Sequence, residues 1–205
     1  MKLYYSPGAC SLGIHVLLEE IGQPYELQRL NFPEGEQQKP EFQAVNRKGK
    51  VPTLVRDDGT VLTEFPAIAW WLALSNPGSH LLPGDAEGQA RALEALDYLV
   101  GTLHGQGFGR IFRPMKFTPR EADHEEVKAQ GREVFEKGLR LIDEQLAGKQ
   151  YLLGDFSIAD AALFYVEFWA GRVGIDLPSN CAAHFARMKA RPAVQRAMEQ
   201  EGVAG

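Results

Sequence analysis

Cysteine is scarce in this chain: Cys10 and Cys181 are the only two among 205 residues, and they stand far apart. Two such residues build no disulfide framework, and a reducing cytoplasm is the simplest setting for them. Long apolar runs are missing as well, and no stretch is long enough to span a bilayer. The first residues carry one lysine, no extended apolar core and no small-residue cleavage site, which predicts no secretory leader. Basic charge is not in excess. The 22 Lys and Arg against 27 Asp and Glu leave a net charge of −5 with the signs mixed, so no nucleic-acid face is expected. His15, His80, His124 and His184 show no metal-ligand spacing, and neither a phosphate loop nor a dinucleotide fingerprint occurs.

What is present is an ordinary globular composition, 44% hydrophobic and 24% charged, in a chain long enough for one large domain or two small ones. The first third alternates strand and helix signals. Leu3, Tyr4 and Tyr5 read as a strand, broken by Ser6, Pro7 and Gly8. From Leu12 the apolar residues recur at helical spacing until Gly22 and Pro24 end the run. YELQRL alternates like a second strand, and residues 31 to 42 read as a loop with a short helix. VPTLVRDDGTVLTE reads as a hairpin turned at Asp58–Gly59, and FPAIAWWLALS as a helix with Pro66 at its first position. Beyond the Pro- and Gly-rich stretch near residues 76 to 88, every signal is helical in period. The expected domains are therefore 1–77, a linker at 78–86, and an all-helical 87–205. Cys181 falls in a Pro/Ser/Asn-rich turn and takes no role.

Four places stand out chemically. Cys10 lies in the strand-to-helix turn, just before free helix N–H groups that favour a thiolate; it is equally well placed as a small buried residue. Proline at position 52 suits the first position of a strand and reads most simply as an ordinary loop-to-strand proline; a cis peptide there would instead splay Val51 toward an open strand edge able to hold an extended peptide-like ligand through the main chain. Glu64 sits at a helix start, where it either offsets the helix dipole or pairs with a substrate ammonium. Asp97, Gly101 and His104 share one helical face at spacings of four and three, in a Gly-rich segment that suggests a cleft. A fifth motif, Ser157 with Asp160, is read as a capping box that starts the helix carrying Phe164, Phe168 and Trp169.

MKLYYSPGACSLGIHVLLEEIG, AVNRKGKVPTL, LTEFPAIAWWLA and FSIADAALF together resemble the cytosolic glutathione transferases, most of all the bacterial beta class, which carries a cysteine at the position of Cys10. The resemblance runs over nearly the whole chain, with a small gap around residues 31 to 40. It implies an α/β thioredoxin-like N-terminal domain, an all-α C-terminal domain and a cytoplasmic homodimer with each active site near the interface. It also implies glutathione as co-substrate, with no permanently bound cofactor and no metal. By the same resemblance, Cys10 stands beside the glutathione sulfur and Val51 bonds the ligand backbone. Pro52 is the cis proline, and Glu64 and Phe65 hold the γ-glutamyl head. Asp97 and Gly101 belong to the ligand segment, and His104 matches the histidine near the sulfur. Phe108, Phe112 and Trp169 are candidate walls of a pocket for a small hydrophobic electrophile.

Two departures from the family pattern are visible. Phe65–Pro66 replaces the usual Ser or Gly and its non-proline neighbour, so glutathione is expected to bind more weakly or in an altered pose. Gly105 stands where relatives often have Lys. The expected activity is conjugation of the glutathione thiolate. Cys10–Ser11–Leu12–Gly13 lacks a resolving cysteine, yet a monothiol can exchange with glutathione, which keeps disulfide or peroxide reduction as an alternative. A non-catalytic binding module is the third.

Overall fold

In the computed structural model, which describes residues 1–204, the chain divides into two compact units. The first comprises Met1–Leu81 and the described residues from Lys189 onward; the second is Leu82–Met188.

The first unit is a mixed four-stranded sheet with helices. β1 (Lys2–Tyr5) lies between β2 (Glu26–Arg29), which runs parallel to it, and β3 (Thr53–Val55), which is antiparallel. β4 (Val61–Thr63) pairs with β3, giving the order β2-β1-β3-β4. This is the α/β arrangement expected from the sequence. The period of two along β1 buries Leu3 and Tyr5, and Leu54 is buried on β3. α1 (Ser11–Ile21) buries every residue from Ser11 to Leu18, and Gly22, at φ 71°, closes it by bonding to the Leu18 carbonyl. α2 (Pro40–Gln43) is a single turn. α3 (Phe65–Ser75) turns Phe65, Ile68, Ala69, Leu72 and Ala73 inward; it begins at Phe65, so Pro66 occupies its second position rather than the first.

The last helix, here numbered α9 (Pro192–Glu201), packs against α1. Its buried Glu201 accepts a hydrogen bond from the Gly8 N–H at 2.8 Å and lies 3.0 Å from His15 Nδ1. His15 Nε2 is 2.8 Å from Gln200 Oε1. At the rim, Arg191 makes a two-pronged pair with Glu20 at 2.7 and 3.0 Å.

The named elements of the second unit are all helices; it differs from the expected helical domain 87–205 in that the described residues from Lys189 onward belong to the first unit, where α9 packs on α1. α4 (Ala86–Asp97) starts at Asp85, whose carboxylate accepts from the Gly88 N–H. It continues into a π-helical segment, Tyr98–Phe108, and then α5 (Gly109–Phe112). α6 (His124–Leu146) lies close along this segment. A Cβ on Gly138 would stand 2.6 Å from a Leu103 methyl, so only glycine permits the approach. α7 (Ile158–Arg172) is buried along most of its length and opens with the Ser157–Asp160 capping box read in the sequence. α8 (Ser179–Ala190) follows. Cys181 belongs to its first turn and is buried, not in a turn between elements as the Pro/Ser/Asn composition suggested. The reason is remote in sequence: the Asp143 carboxylate of α6 accepts from the N–H groups of Asn180 and Cys181 at 2.6 and 3.0 Å and so caps the helix.

Asp160 does more than cap. One oxygen accepts from the Leu152 N–H at 2.9 Å and meets His184 Nε2 at 3.2 Å, while the other accepts from the Ser157 backbone and hydroxyl. His184 Nδ1 faces the Glu167 carboxylate at 2.9 Å. Burial alone would lower the His184 pKa, but the hydrogen bonds and charges of Asp160 and Glu167 outweigh it and hold the group up at about 9. Burial pushes Glu167 up to about 7 against the pull of His184.

Two outcomes follow from these buried carboxylates. Both raised values mean that the folded state holds protons the unfolded chain releases. The stability that these two groups contribute is fully present below the ordinary Glu value of 4.5 and is lost as pH rises through 7 and on to about 9. Thermal melts across that range should show a falling midpoint; a rising one would refute the charge assignment. Separately, Glu201→Ala removes the carboxylate that the Gly8 N–H and His15 Nδ1 engage and should cost about 3 kcal/mol in urea denaturation.

Candidate active site

The turn after β1 brings Cys10 to the N-terminus of α1. Its backbone is already helical, at φ −57° and ψ −21°, and its side chain makes no capping bond. The thiol instead donates to the Val51 carbonyl at 3.3 Å. Part of Cys10 reaches solvent, yet burial around the thiol is the largest influence on it and pushes its pKa up to about 12. The N–H groups of Cys10 and Ser11 and the Lys50 charge pull the other way, and Glu64 adds to the rise. The helix terminus therefore does not make Cys10 a thiolate, contrary to the expectation from its position alone. It is a neutral donor. The neighbouring Ser11 is buried, with its hydroxyl oxygen 3.4 Å from both the Ser6 N–H and carbonyl.

Val51 precedes β3, and the Val51–Pro52 bond is cis, as the resemblance implied. The open strand edge anticipated there is absent, because β3 is paired on both sides and the sheet edges are β2 and β4. Val51 lies in the loop before β3 and is buried, with its carbonyl accepting from the Cys10 thiol. The loop's shape is held by Asn46, a residue sequence reasoning passed over. The Asn46 amide donates to the Lys50 carbonyl and to Thr53 Oγ1, and its side-chain oxygen accepts from the Lys48 N–H. Such an Asx turn is signalled by Asn two residues before the N–H it accepts from. Val51 itself is anchored by packing with Leu30 and Phe42.

Glu64 caps α3 at φ 72°, a left-handed value rare for a side-chain-bearing residue and costing of the order of 1–3 kcal/mol. Its exposed carboxylate meets Lys48 Nζ at 2.7 Å, and Lys48 also donates to Thr63 Oγ1 at 2.9 Å. Lys48 was the second residue missed; the basic run Asn46-Arg-Lys-Gly-Lys50 was its signal. The Phe65 ring is 3% exposed and packs inward, so it adds no bulk on the solvent side of the helix start.

In the helical unit, the single face expected for Asp97, Gly101 and His104 is not realised. Asp97 ends α4, while Gly101 and His104 belong to the π-helical segment, whose i→i+5 bonding winds wider than an α-helix. Asp97 and Gly101 are exposed, and Asp97 has no hydrogen-bond partner among the described residues. His104 is half-buried, with Nδ1 3.3 Å from the Tyr165 hydroxyl. Phe108 stacks on Trp169 at 4.2 Å and on Phe112 at 5.5 Å. Trp169 is buried, whereas Phe112 is 65% exposed and forms the open end of the stack. No cluster of His, Cys, Asp or Glu fit for a metal occurs among the described residues.

Comparison with known proteins decides the family. The glutathione S-transferase N-terminal domain model matches residues 8–74, and the C-terminal domain model matches residues 125–199. Glutathione S-transferase GstA of Escherichia coli O157:H7 is 40% identical over 212 residues, covering 99% of this chain and 100% of that relative. The chain belongs to the glutathione S-transferase family. A glutathione transferase homologue from Sulfitobacter, solved with glutathione bound, superimposes with a TM-score of 0.91 at 32% identity and covers 98% of each chain. The bacterial beta class glutathione S-transferase of Sphingomonas chungbukensis gives 0.86 at 34% identity, with both chains covered in full.

In this transferase, the raised Cys10 value has a direct readout. At pH 9 only about a thousandth of a thiol with a pKa near 12 is ionised. Alkylation of Cys10 by iodoacetamide, followed by peptide mass spectrometry, should therefore be slow at neutral pH and still climb about tenfold per pH unit at pH 9 to 10. A plateau below pH 9 would show a stabilised thiolate instead.

Proposed function

We propose that this glutathione transferase conjugates the glutathione thiolate to small hydrophobic electrophiles through the residues assigned below. One observation carries the reading. A single unit holds a neutral thiol donor at Cys10, the Val51 backbone before the cis Val51–Pro52 bond and an exposed carboxylate at Glu64, groups that match the thiol, the amide backbone and the ammonium of a γ-glutamyl tripeptide. Val51 and Pro52 form the main-chain cradle, and Glu64 with the Phe65 backbone receives the γ-glutamyl head, with Lys48 orienting the carboxylate. Cys10 donates a hydrogen bond to the glutathione sulfur and so favours its thiolate; each unit by which that pKa falls represents about 1.4 kcal/mol of preferential anion binding. His104 is the second catalytic side chain, with Asp97 and Gly101 in its segment. Phe108, Phe112 and Trp169 wall the electrophile pocket. Glutathione is a co-substrate, with no permanent cofactor, and the protein acts as a cytoplasmic homodimer.

The reductase alternative needs Cys10 as an attacking thiolate, and a value near 12 opposes that. The binding-module alternative is not favoured by relatives that are named as transferases. Calorimetric titration with glutathione and turnover of a reactive aryl halide test the reading together. Glu64→Ala should weaken glutathione binding about tenfold with kcat less affected. Absence of both binding and turnover would sink the transferase reading. Disulfide reduction lost in Cys10→Ala, with conjugation intact, would move the function to redox chemistry.

A further inference from the structure

Two opposite charges from separate stretches of the first unit meet beside the start of α3. Lys48, in the loop before β3, brings Nζ to 2.7 Å from Glu64 Oε1 and to 2.9 Å from Thr63 Oγ1. An ammonium has three N–H donors, so one remains for a ligand. Glu64 Oε2 likewise accepts no hydrogen bond among the described residues, and both side chains are exposed. The base of the lysine is fixed, because its backbone N–H donates to Asn46 Oδ1 at 3.0 Å. The first positions of α3 offer an anion little in comparison: Phe65 turns its ring inward, and Pro66 has no N–H to give. The Glu64 charge acts on the Cys10 thiol, which puts the pair in the neighbourhood of that sulfur.

We propose that Lys48 is a specificity-determining residue: its ammonium binds the α-carboxylate of the γ-glutamyl head while Glu64 binds the α-ammonium, so that the pair reads two opposite charges carried on one carbon. The proposal rests on the reading of Glu64 as the receiver of that ammonium. Lys48 keeps its bond to Glu64 Oε1 and gives its remaining N–H to the ligand, and Glu64 accepts from the ligand through Oε2. Charges then alternate in sign around the contact. A head with an ammonium alone is attracted by Glu64 and repelled by Lys48, and a head with a carboxylate alone meets the reverse, so a singly charged head is selected against. Lys48 supplies the donor that Pro66 withholds.

Lys48→Met keeps the length of the side chain and removes its charge, and an unchanged thermal midpoint checks that the fold is intact. Calorimetric titration compares glutathione with γ-aminobutyryl-Cys-Gly, which lacks only the α-carboxylate, and with glutaryl-Cys-Gly, which lacks only the α-ammonium. Lys48→Met should weaken glutathione and glutaryl-Cys-Gly about tenfold each and γ-aminobutyryl-Cys-Gly less than about twofold. Glu64→Gln should weaken glutathione and γ-aminobutyryl-Cys-Gly about tenfold and leave glutaryl-Cys-Gly no weaker. A tenfold loss for γ-aminobutyryl-Cys-Gly in Lys48→Met would mean that the lysine acts through Glu64 rather than on the ligand, and would overturn the proposal. Unchanged glutathione affinity in Lys48→Met, with Glu64→Gln still impaired, would remove the role of Lys48 and leave the Glu64 reading standing. Full glutathione affinity in Glu64→Gln would end that reading, and the paired recognition with it.

Discussion

Taking a carboxylate out of water requires donors on every side of it, and each unit is assembled around such a group. In the first unit, Glu201 gathers a backbone N–H from the turn before Cys10 and the buried imidazole of His15, joining α9 to the first helix. The turn that carries the thiol is thus held from behind by a charge, in addition to the apolar packing of α1. In the second unit, Asp160 ties the start of α7 to the preceding loop at Leu152 and to α8 through His184. Hydrophobic burial supplies most of the stability of both units, but it is non-directional. These carboxylates supply direction.

The same low-polarity surroundings explain why Cys10 behaves differently from a cysteine judged by its neighbours in sequence. A helix terminus favours an anion, but packing around the thiol opposes it more strongly, and the Val51 carbonyl gives the S–H an acceptor. A thiol kept protonated is a donor, and a donor beside a second sulfur stabilises that sulfur's anion. Protonation of Cys10 is accordingly a feature of the site. In the function proposed above, it leaves the negative charge to the glutathione sulfur.

Much of the fold was legible because its signals are local. The Asp58–Gly59 hairpin, the Gly22 stop and the Ser157–Asp160 box all act over a few residues, and each stands where the sequence places it. The candidate site was legible only in its residue types. The helical face at Asp97, Gly101 and His104 was drawn with α-helical spacing, whereas close packing of the segment at Leu103 against Gly138 of α6 accompanies a π-helical winding that no local pattern announces. The supposed strand edge at Val51 depended on sheet order, which places β3 inside. Lys48 and Asn46 were hidden because their roles come from the folded loop. Gly8 and Glu201 lie 193 residues apart, beyond the reach of any spacing rule.

That last separation bears on how the protein is made. A ribosome releases the strand, turn and first helix long before it reaches residue 201, so the nascent first unit emerges with His15 and the Gly8 N–H still lacking their partner. Completion of the thiol-bearing turn therefore waits for α9, and a message cut short within that helix yields a chain whose sheet can pair but whose Cys10 turn is not locked.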